Sequence, residues 1–362
     1  MPRPLADLRI DLPQVPPRRR LLLPSAIALL HVLGWGLLLG AVLPAELATG
    51  GSPGPLLALS LGAYALGIRH AFDADHVAAI DNATRQLVSQ GRPASTTGFW
   101  FALGHSTVVL LAVLFIAGGA STLSNALTDD GSALRDSAAI WGGSVSGVFL
   151  LAAGLLNLPV LASLITTRGR LRSGRSVPRP EEIAAVLGRR GVLFRILRPM
   201  TKLVGRPSRM YPVGFLFGLG LDTAASISLF ALAGTFTAAL PWYSVLVLPV
   251  LFTAGMTLFD TLDGVLVTRV YRWASSDPVR SLDYNIVTTA VSVVIAFVVG
   301  ITGLVAVLAQ LLGPGFPLTQ ILGSLDLNIL GVGAVVFFAL VWATTTILRK
   351  KRPTFEDARA LR

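Results

Sequence analysis

Long apolar runs alternate along the chain with short polar, mostly basic segments. A helix needs roughly 20 apolar residues to cross a bilayer. Runs of that kind fall near residues 21–43, 56–82, 97–119, 138–165, 211–239, 242–267, 285–312 and 326–348. The pattern predicts an all-α integral membrane protein with eight transmembrane helices. The first run follows Arg18-Arg19-Arg20. It is longer than the roughly 7–15-residue core of a signal peptide, so it reads as an uncleaved span. Residues 1–20 and 349–362 read as disordered basic tails around one membrane domain, 21–348.

Charge sets an orientation. Of the 30 Lys and Arg residues, 28 lie in 1–20, 83–95, 166–209, 269–283 and 349–362; the exceptions are Arg69 and Arg135. With eight spans these segments all share one side. The opposite loops carry Glu46, Asp129, Asp130 and Asp136. The positive-inside rule then places both termini and the 166–209 loop in the cytoplasm. Topology thus accounts for the net charge of +11, and no nucleic-acid partner is expected. Inside the long loop, Pro180-Glu181-Glu182 precedes Arg195 and Arg198, the charge order a helix dipole favours. An amphipathic surface helix and a flexible connector both fit that stretch.

Composition narrows the class further. Hydrophobic residues are 53% of the chain and charged residues 14%, against roughly 25% charged in soluble domains. Cysteine is absent, which excludes disulfides, thiolate zinc sites and copper(I)-thiolate sites. The four methionines are scattered and form no copper path. Membrane lipid is the expected surroundings, and the sequence does not specify an oligomeric state.

The second run breaks the apolar rule most sharply. It contains His70-Ala-Phe-Asp73-Ala-Asp75-His76. One aspartate at mid-membrane costs about 2.5–3.5 kcal/mol on insertion scales, so four polar groups in seven residues imply a use. His and Asp together suit borderline divalent metals such as nickel, cobalt and zinc. His70, Asp73, Asp75 and His76 are therefore candidate metal ligands. On a continuous helix, His70, Asp73 and His76 fall within an arc of about 120°. Asp75 then points about 100° away from His76. Either Asp75 has another partner, or the helix unwinds locally, as transporter helices do at binding sites. Mutual pairing inside a bundle is the purely structural alternative.

Other spans carry polar groups at similar depth. His31, His105, Asp222, Asp260 and Asp263 form a second tier of candidates along a metal path. At 1.5 Å per residue, His31, His105 and Asp222 lie about 12–16 Å from the cytoplasmic face. All four histidines of the chain, His31, His70, His76 and His105, fall in predicted spans. Leu66–Ala71 and Leu219–Ala224 are faintly alike and lie on oppositely directed spans, which hints at an inverted repeat of three spans.

These residues resemble a known family. Arg69-His-Ala-Phe-Asp-Ala-Asp-His-Val-Ala-Ala-Ile-Asp-Asn82 is similar to the second-span motif of the nickel/cobalt transporters, the NiCoT family. Three further stretches follow in the family's order: Leu103-Gly-His-Ser-Thr-Val-Val109, Leu219-Gly-Leu-Asp-Thr-Ala224, and Gly255-Met-Thr-Leu-Phe-Asp-Thr-Leu-Asp-Gly264. The resemblance covers about residues 20–350 and implies an eight-span bacterial cytoplasmic-membrane permease for Ni²⁺ or Co²⁺. It implies that His70, Asp75 and His76 are essential, and that His31 influences metal choice. The metal would be the transported substrate, with no cofactor. One departure stands out: Ser226 occupies a position where the family usually has Glu.

The expected function is thus transport of nickel and/or cobalt, with uptake the family's usual direction and efflux an alternative. An intramembrane metalloenzyme of the zinc-protease kind is the competing class, but it needs a His-Glu-x-x-His string and the sequence has none. A metal sensor that does not transport is the third.

Overall fold

The computed structural model describes residues 17–117, 126, 129, 131–173, 204–220, 229, 242–274, 280–312 and a few positions between 329 and 343. The described residues are helical throughout, joined by short turns, with no strand among them. The helices are α1 (Pro17–Leu37), α2 (Leu43–Ala48), α3 (Pro53–Ala71), α4 (Ala74–Ser89), α5 (Thr97–Ala117), α6 (Ala133–Arg172), α7 (Met210–Gly218), α8 (Val247–Ala274) and α9 (Arg280–Leu312). A π-helical turn, Leu38–Val42, joins α1 to α2 without interrupting the rod. Five segments are long and apolar enough to cross a membrane: Leu21–Ala48, Thr97–Ala117, Ala133–Arg170, Ser244–Arg269 and Asn285–Leu312. They coincide with five of the runs read from the sequence. Most of the runs at 211–239 and 326–348 lies outside the described residues.

The run at 56–82 is not one helix. It is α3 and α4, joined at Phe72 and Asp73. Asp73 is extended, at φ −63° and ψ 138°. The local sequence explains the break. Arg69 and His70 sit in the last turn of α3 and Asp75 in the first turn of α4, so each helix end carries the charge its dipole favours. Asp is also a preferred residue at the position before a helix, and the Asp73 carbonyl accepts the first bond of α4 from Val77 N at 3.1 Å. The stripe expected from a continuous helix is therefore replaced by two half-helices separated at Phe72 and Asp73.

Glycines bring backbones together around this break. A Cβ at Gly67 would strike the Phe252 carbonyl on α8. A Cβ at Gly331, in the last run, would strike the Phe72 carbonyl at the break. Between α6 and α9, Gly143 and Gly147 lie against Val307 and Leu304. Small residues at such crossings are how membrane helices gain close contact where lipid supplies no hydrophobic drive.

Helix α4 is the inner element. Thirteen of its residues are buried, including Asp81, Asn82, Thr84, Arg85 and Gln86. Its polar side chains bind neighbouring helices. Arg85 donates to Thr289 Oγ1 at 2.6 Å, to the Thr288 carbonyl at 2.9 Å and to Ser292 Oγ. Asn157 Nδ2 donates to Asn82 Oδ1 at 2.7 Å, which ties in α6. Counting 83–95 as a loop is thus corrected: Arg85 is 3% exposed and sits inside a helix. Its charge is held by interior oxygens rather than by cytoplasmic water.

The Gly67 crossing gives the first prediction. Gly67→Ala should cost about 1–3 kcal/mol by overpacking against the α8 backbone and lower the melting temperature of the purified protein. Gly62→Ala on the same helix meets nothing within 4 Å and should be neutral, or stabilising by at most about 1 kcal/mol through helix propensity. Thermal unfolding of both variants in detergent checks the pair.

Candidate metal centre

The break converts sequence neighbours into facing groups. His70 lies in the last turn of α3, His76 in the first turn of α4, and His105 comes from α5. Their exposures are 0%, 1% and 4%. One nitrogen from each lies within 4.8 Å of the others. Ring centroids are 4.4 Å apart for His70–His76, 4.6 Å for His70–His105 and 4.8 Å for His76–His105. Three converging imidazoles of this kind suit a divalent transition metal.

Carboxylates stand behind two of the rings. Asp73 Oδ2 is 2.8 Å from His70 Nδ1, so Nδ1 carries the proton and donates it to the carboxylate. His70 Nε2 then presents a lone pair inward, toward His105 Nε2 at 2.8 Å. Two ring nitrogens at that distance need one proton between them; a metal ion would take its place and push the His105 proton to Nδ1. Asp260 Oδ2 lies 3.5 Å from His76 Nδ1, which leaves the other His76 nitrogen for the centre. A carboxylate behind a ligand imidazole fixes its tautomer and raises its basicity. Apolar rings close the pocket: Phe101 meets His76 edge-on at 4.8 Å, and Phe252 lies 5.6 Å from His70.

The residues expected from the sequence separate into distinct positions. His70 and His76 meet, and His105 completes the group. Asp73 is bonded to His70, while Asp75 Oδ1 accepts the His76 backbone N–H at 3.0 Å. Neither aspartate joins the group of imidazoles, so the carboxylate expected beside His70 and His76 stands one layer out. Asp260 supports His76. His31 is elsewhere: it bonds the Ile27 carbonyl at 2.8 Å and Tyr64 Oη at 3.2 Å, between α1 and α3. Asp263 is buried further along α8. Asp222 and Ser226 lie outside the described residues. Sequence reasoning missed Phe101 and Phe252, which look like any core residues in an apolar span. It also missed Asp81 and Arg85, whose spacing of four on a helix is the signal for the ion pair seen here at 3.6 Å.

Comparison with known proteins bears on this arrangement. The family model described as NicO, high-affinity nickel-transport protein, matches residues 56–348. The chain is 44% identical over 325 residues to the nickel transporter NicT of Mycobacterium tuberculosis, covering 90% of this chain and 87% of that one. It is 39% identical over 327 residues to the nickel transporter NixA of Staphylococcus aureus, covering 90% and 93%. It is 38% identical over 349 residues to the cobalt transport protein NhlF of Rhodococcus rhodochrous, covering 93% and 94%. No solved structure matches.

The geometry predicts graded effects on metal affinity. Asp73→Asn should weaken Co²⁺ binding by about 10- to 100-fold, the usual cost of losing a carboxylate behind a ligand imidazole. His105→Ala should weaken it further, and His31→Ala should leave it within about threefold, under 1 kcal/mol. Calorimetric titration of the purified variants in detergent measures all three.

Proposed function

The chain belongs to the NicO family of high-affinity nickel-transport proteins, and from that premise we propose that it is a multi-pass permease carrying Ni²⁺ or Co²⁺ across the cytoplasmic membrane. The observation that supports this most is the group His70, His76 and His105, buried between three helices. Nitrogen donors suit both ions, and the Irving–Williams order favours Ni²⁺ unless geometry intervenes. The curated relatives quoted above are named as nickel or cobalt transporters, in keeping with a permease rather than an enzyme.

The transport step follows from where the ligands sit. His70 and His76 flank the break between α3 and α4, and His105 stands on α5. Neutral imidazoles bind the ion, with Asp73 holding the outer proton of His70 and Asp260 lying 3.5 Å from Nδ1 of His76. A small shift of α5 against the half-helices parts the three donors and frees the ion, which a site on one rigid element could not do. The inside-negative potential drives entry: about 2.3 kcal/mol per charge per 100 mV gives about 4.6 kcal/mol for a divalent ion. Uptake is therefore the proposed direction.

The finer topology belongs to the same reading. Eight spans place both termini and the 166–209 loop in the cytoplasm. Helix directions agree for the described part. α4 and α8 run in parallel, since His76 lies by Asp260 and Ile80 by Gly264. α6 and α9 run antiparallel, since Gly143 meets Val307 and Gly154 meets Ala296. Alternating crossings require both relations. The three-span inverted repeat, pairing Leu66–Ala71 with Leu219–Ala224, is part of the proposal.

Uptake of radioactive Ni²⁺ and Co²⁺ by proteoliposomes tests the function. The wild type should accumulate metal. His70→Ala and His76→Ala should each abolish accumulation while membrane abundance stays near wild type. Wild-type uptake by either variant would sink the coordination scheme. A reporter fused after Arg352 should behave as cytoplasmic; extracytoplasmic behaviour would overturn the eight-span arrangement.

A further inference from the structure

A cavity of about 560 Å³ opens where the turn between α4 and α5 meets the chain leading into α7. Arg92, Thr96 and Trp100 line it from one side, and Arg206 and Ser208 from the other. The two segments are already tied, since Arg92 donates through Nη1 to the Gly205 carbonyl. The Arg206 side chain is exposed and has no partner among the described residues. No residue lining the cavity is acidic. α7 runs parallel to α5, because Gly214 meets the Phe101 carbonyl and Gly218 the His105 carbonyl. Both helices therefore begin on the side of the cavity.

Two arginines on one cavity repel each other unless an anion lies between them. The starts of two parallel helices add positive potential of the same sign. Guanidinium groups suit phosphate oxygens through their paired N–H donors, and Thr96 and Ser208 add hydroxyls. Depth then selects the source of the phosphate. The apolar span Thr97–Ala117 begins one residue after Thr96, and Trp100 lies in its first turn. Tryptophan concentrates at the headgroup level of a bilayer, where the abundant anion is the phosphate of a lipid.

We propose that this cavity binds the phosphate of an anionic phospholipid of the cytoplasmic leaflet between Arg92 and Arg206, with the hydroxyls of a glycerol headgroup meeting Thr96 and Ser208. The choice of leaflet rests on the orientation proposed above; the site itself does not depend on the cargo. Basic pockets between spans on the cytoplasmic side are a recurring way of recognising anionic lipids. A choline headgroup fits less well, because its fixed positive charge would enter a cavity lined by two arginines and no acid. The bound headgroup bridges the α4–α5 turn to the start of α7. It thereby braces the connection between the two helices that carry His76 and His105.

Calorimetric titration of the purified protein in a non-ionic detergent with dihexanoyl phosphatidylglycerol, a soluble lipid, tests the site. The wild type should bind it. Dihexanoyl phosphatidylcholine and inorganic phosphate should each bind at least about tenfold more weakly, or about 1.4 kcal/mol. Arg206→Gln should weaken phosphatidylglycerol binding by at least about tenfold. Arg172→Gln, an equal loss of charge at the exposed end of α6, should leave it within about threefold. Ser208→Glu brings a negative charge to the cavity and should weaken binding as Arg206→Gln does. If one of the two cavity variants does not fold, the other decides. The site is overturned if phosphatidylglycerol does not bind, if the choline lipid binds as tightly, or if the cavity variants weaken binding no more than Arg172→Gln. Inorganic phosphate binding as tightly as the lipid would overturn the lipid assignment and make the cavity a free-phosphate site. Failure of the wild type to move Ni²⁺ would remove the permease reading, on which this titration does not depend. An extracytoplasmic reporter after Arg352 would overturn the choice of leaflet.

Discussion

The interruption of the helix at Phe72 and Asp73 is the constraint on which the rest depends. Inside a bilayer every backbone N–H and C=O must find a partner within the protein, and irregular backbone survives only where protein surrounds it. Here the interruption is short. Phe72 N and Asp73 N still donate to Arg69 and His70 carbonyls at 3.0 Å, and Asp73 O receives Val77 N. What remains is walled in by α5 and α8 and by Gly331, whose missing side chain lets a backbone approach the Phe72 carbonyl. α4 follows directly from the break and is therefore interior, buried on almost all sides. Its Asn82 and Arg85 side chains are tolerable because α6 and α9 offer a carboxamide, hydroxyls and carbonyls to meet them.

Much of this was legible in the chain. Five apolar runs became five long helices at nearly the predicted positions, because hydrophobic length in a bilayer leaves little choice of structure. The motif from His70 to His76 announced itself through cost: polar groups in lipid demand a reason. The sequence also contained the sign of the break, with Arg69-His70 before it and Asp73-x-Asp75 after it. Side-chain directions on a continuous helix left local unwinding as one of two readings, and the reversal of charge at the centre of the 27-residue run, a helix end followed by a helix start, marks where it occurs.

What stayed hidden depends on contacts between distant segments. His105 is a lone histidine in an apolar span, and nothing in its neighbourhood says that α5 delivers it against His70. The roles of Asp73 and Asp75 were open for the same reason. Counting residues along a helix cannot show that one carboxylate bonds the His70 ring while the other turns back onto its own backbone. Arg85 was read as a loop charge because basic residues cluster at span ends. In the fold it lies one helical turn inside, held by Thr288, Thr289 and Ser292 from more than 200 positions away.

At the proposed site the division of labour between imidazoles and the carboxylates behind them follows from electrostatics. Three neutral imidazoles supply lone pairs and no charge, so a dication among them in a low-dielectric interior is not neutralised by its own ligands. Direct carboxylate ligands would cancel the charge and also deepen the well, which opposes release. Placing Asp73 and Asp260 behind the imidazoles avoids this conflict. On the permease reading their fields reach the ion through the rings, the Asp73 bond fixes the His70 tautomer, and the bonds to the metal are those of neutral nitrogen. On the permease reading the coordination is then dismantled by moving one helix, α5. Because His105 stands on α5 and its two partners on the half-helices either side of the break, the proposed site spans separate elements and comes apart when α5 moves against them.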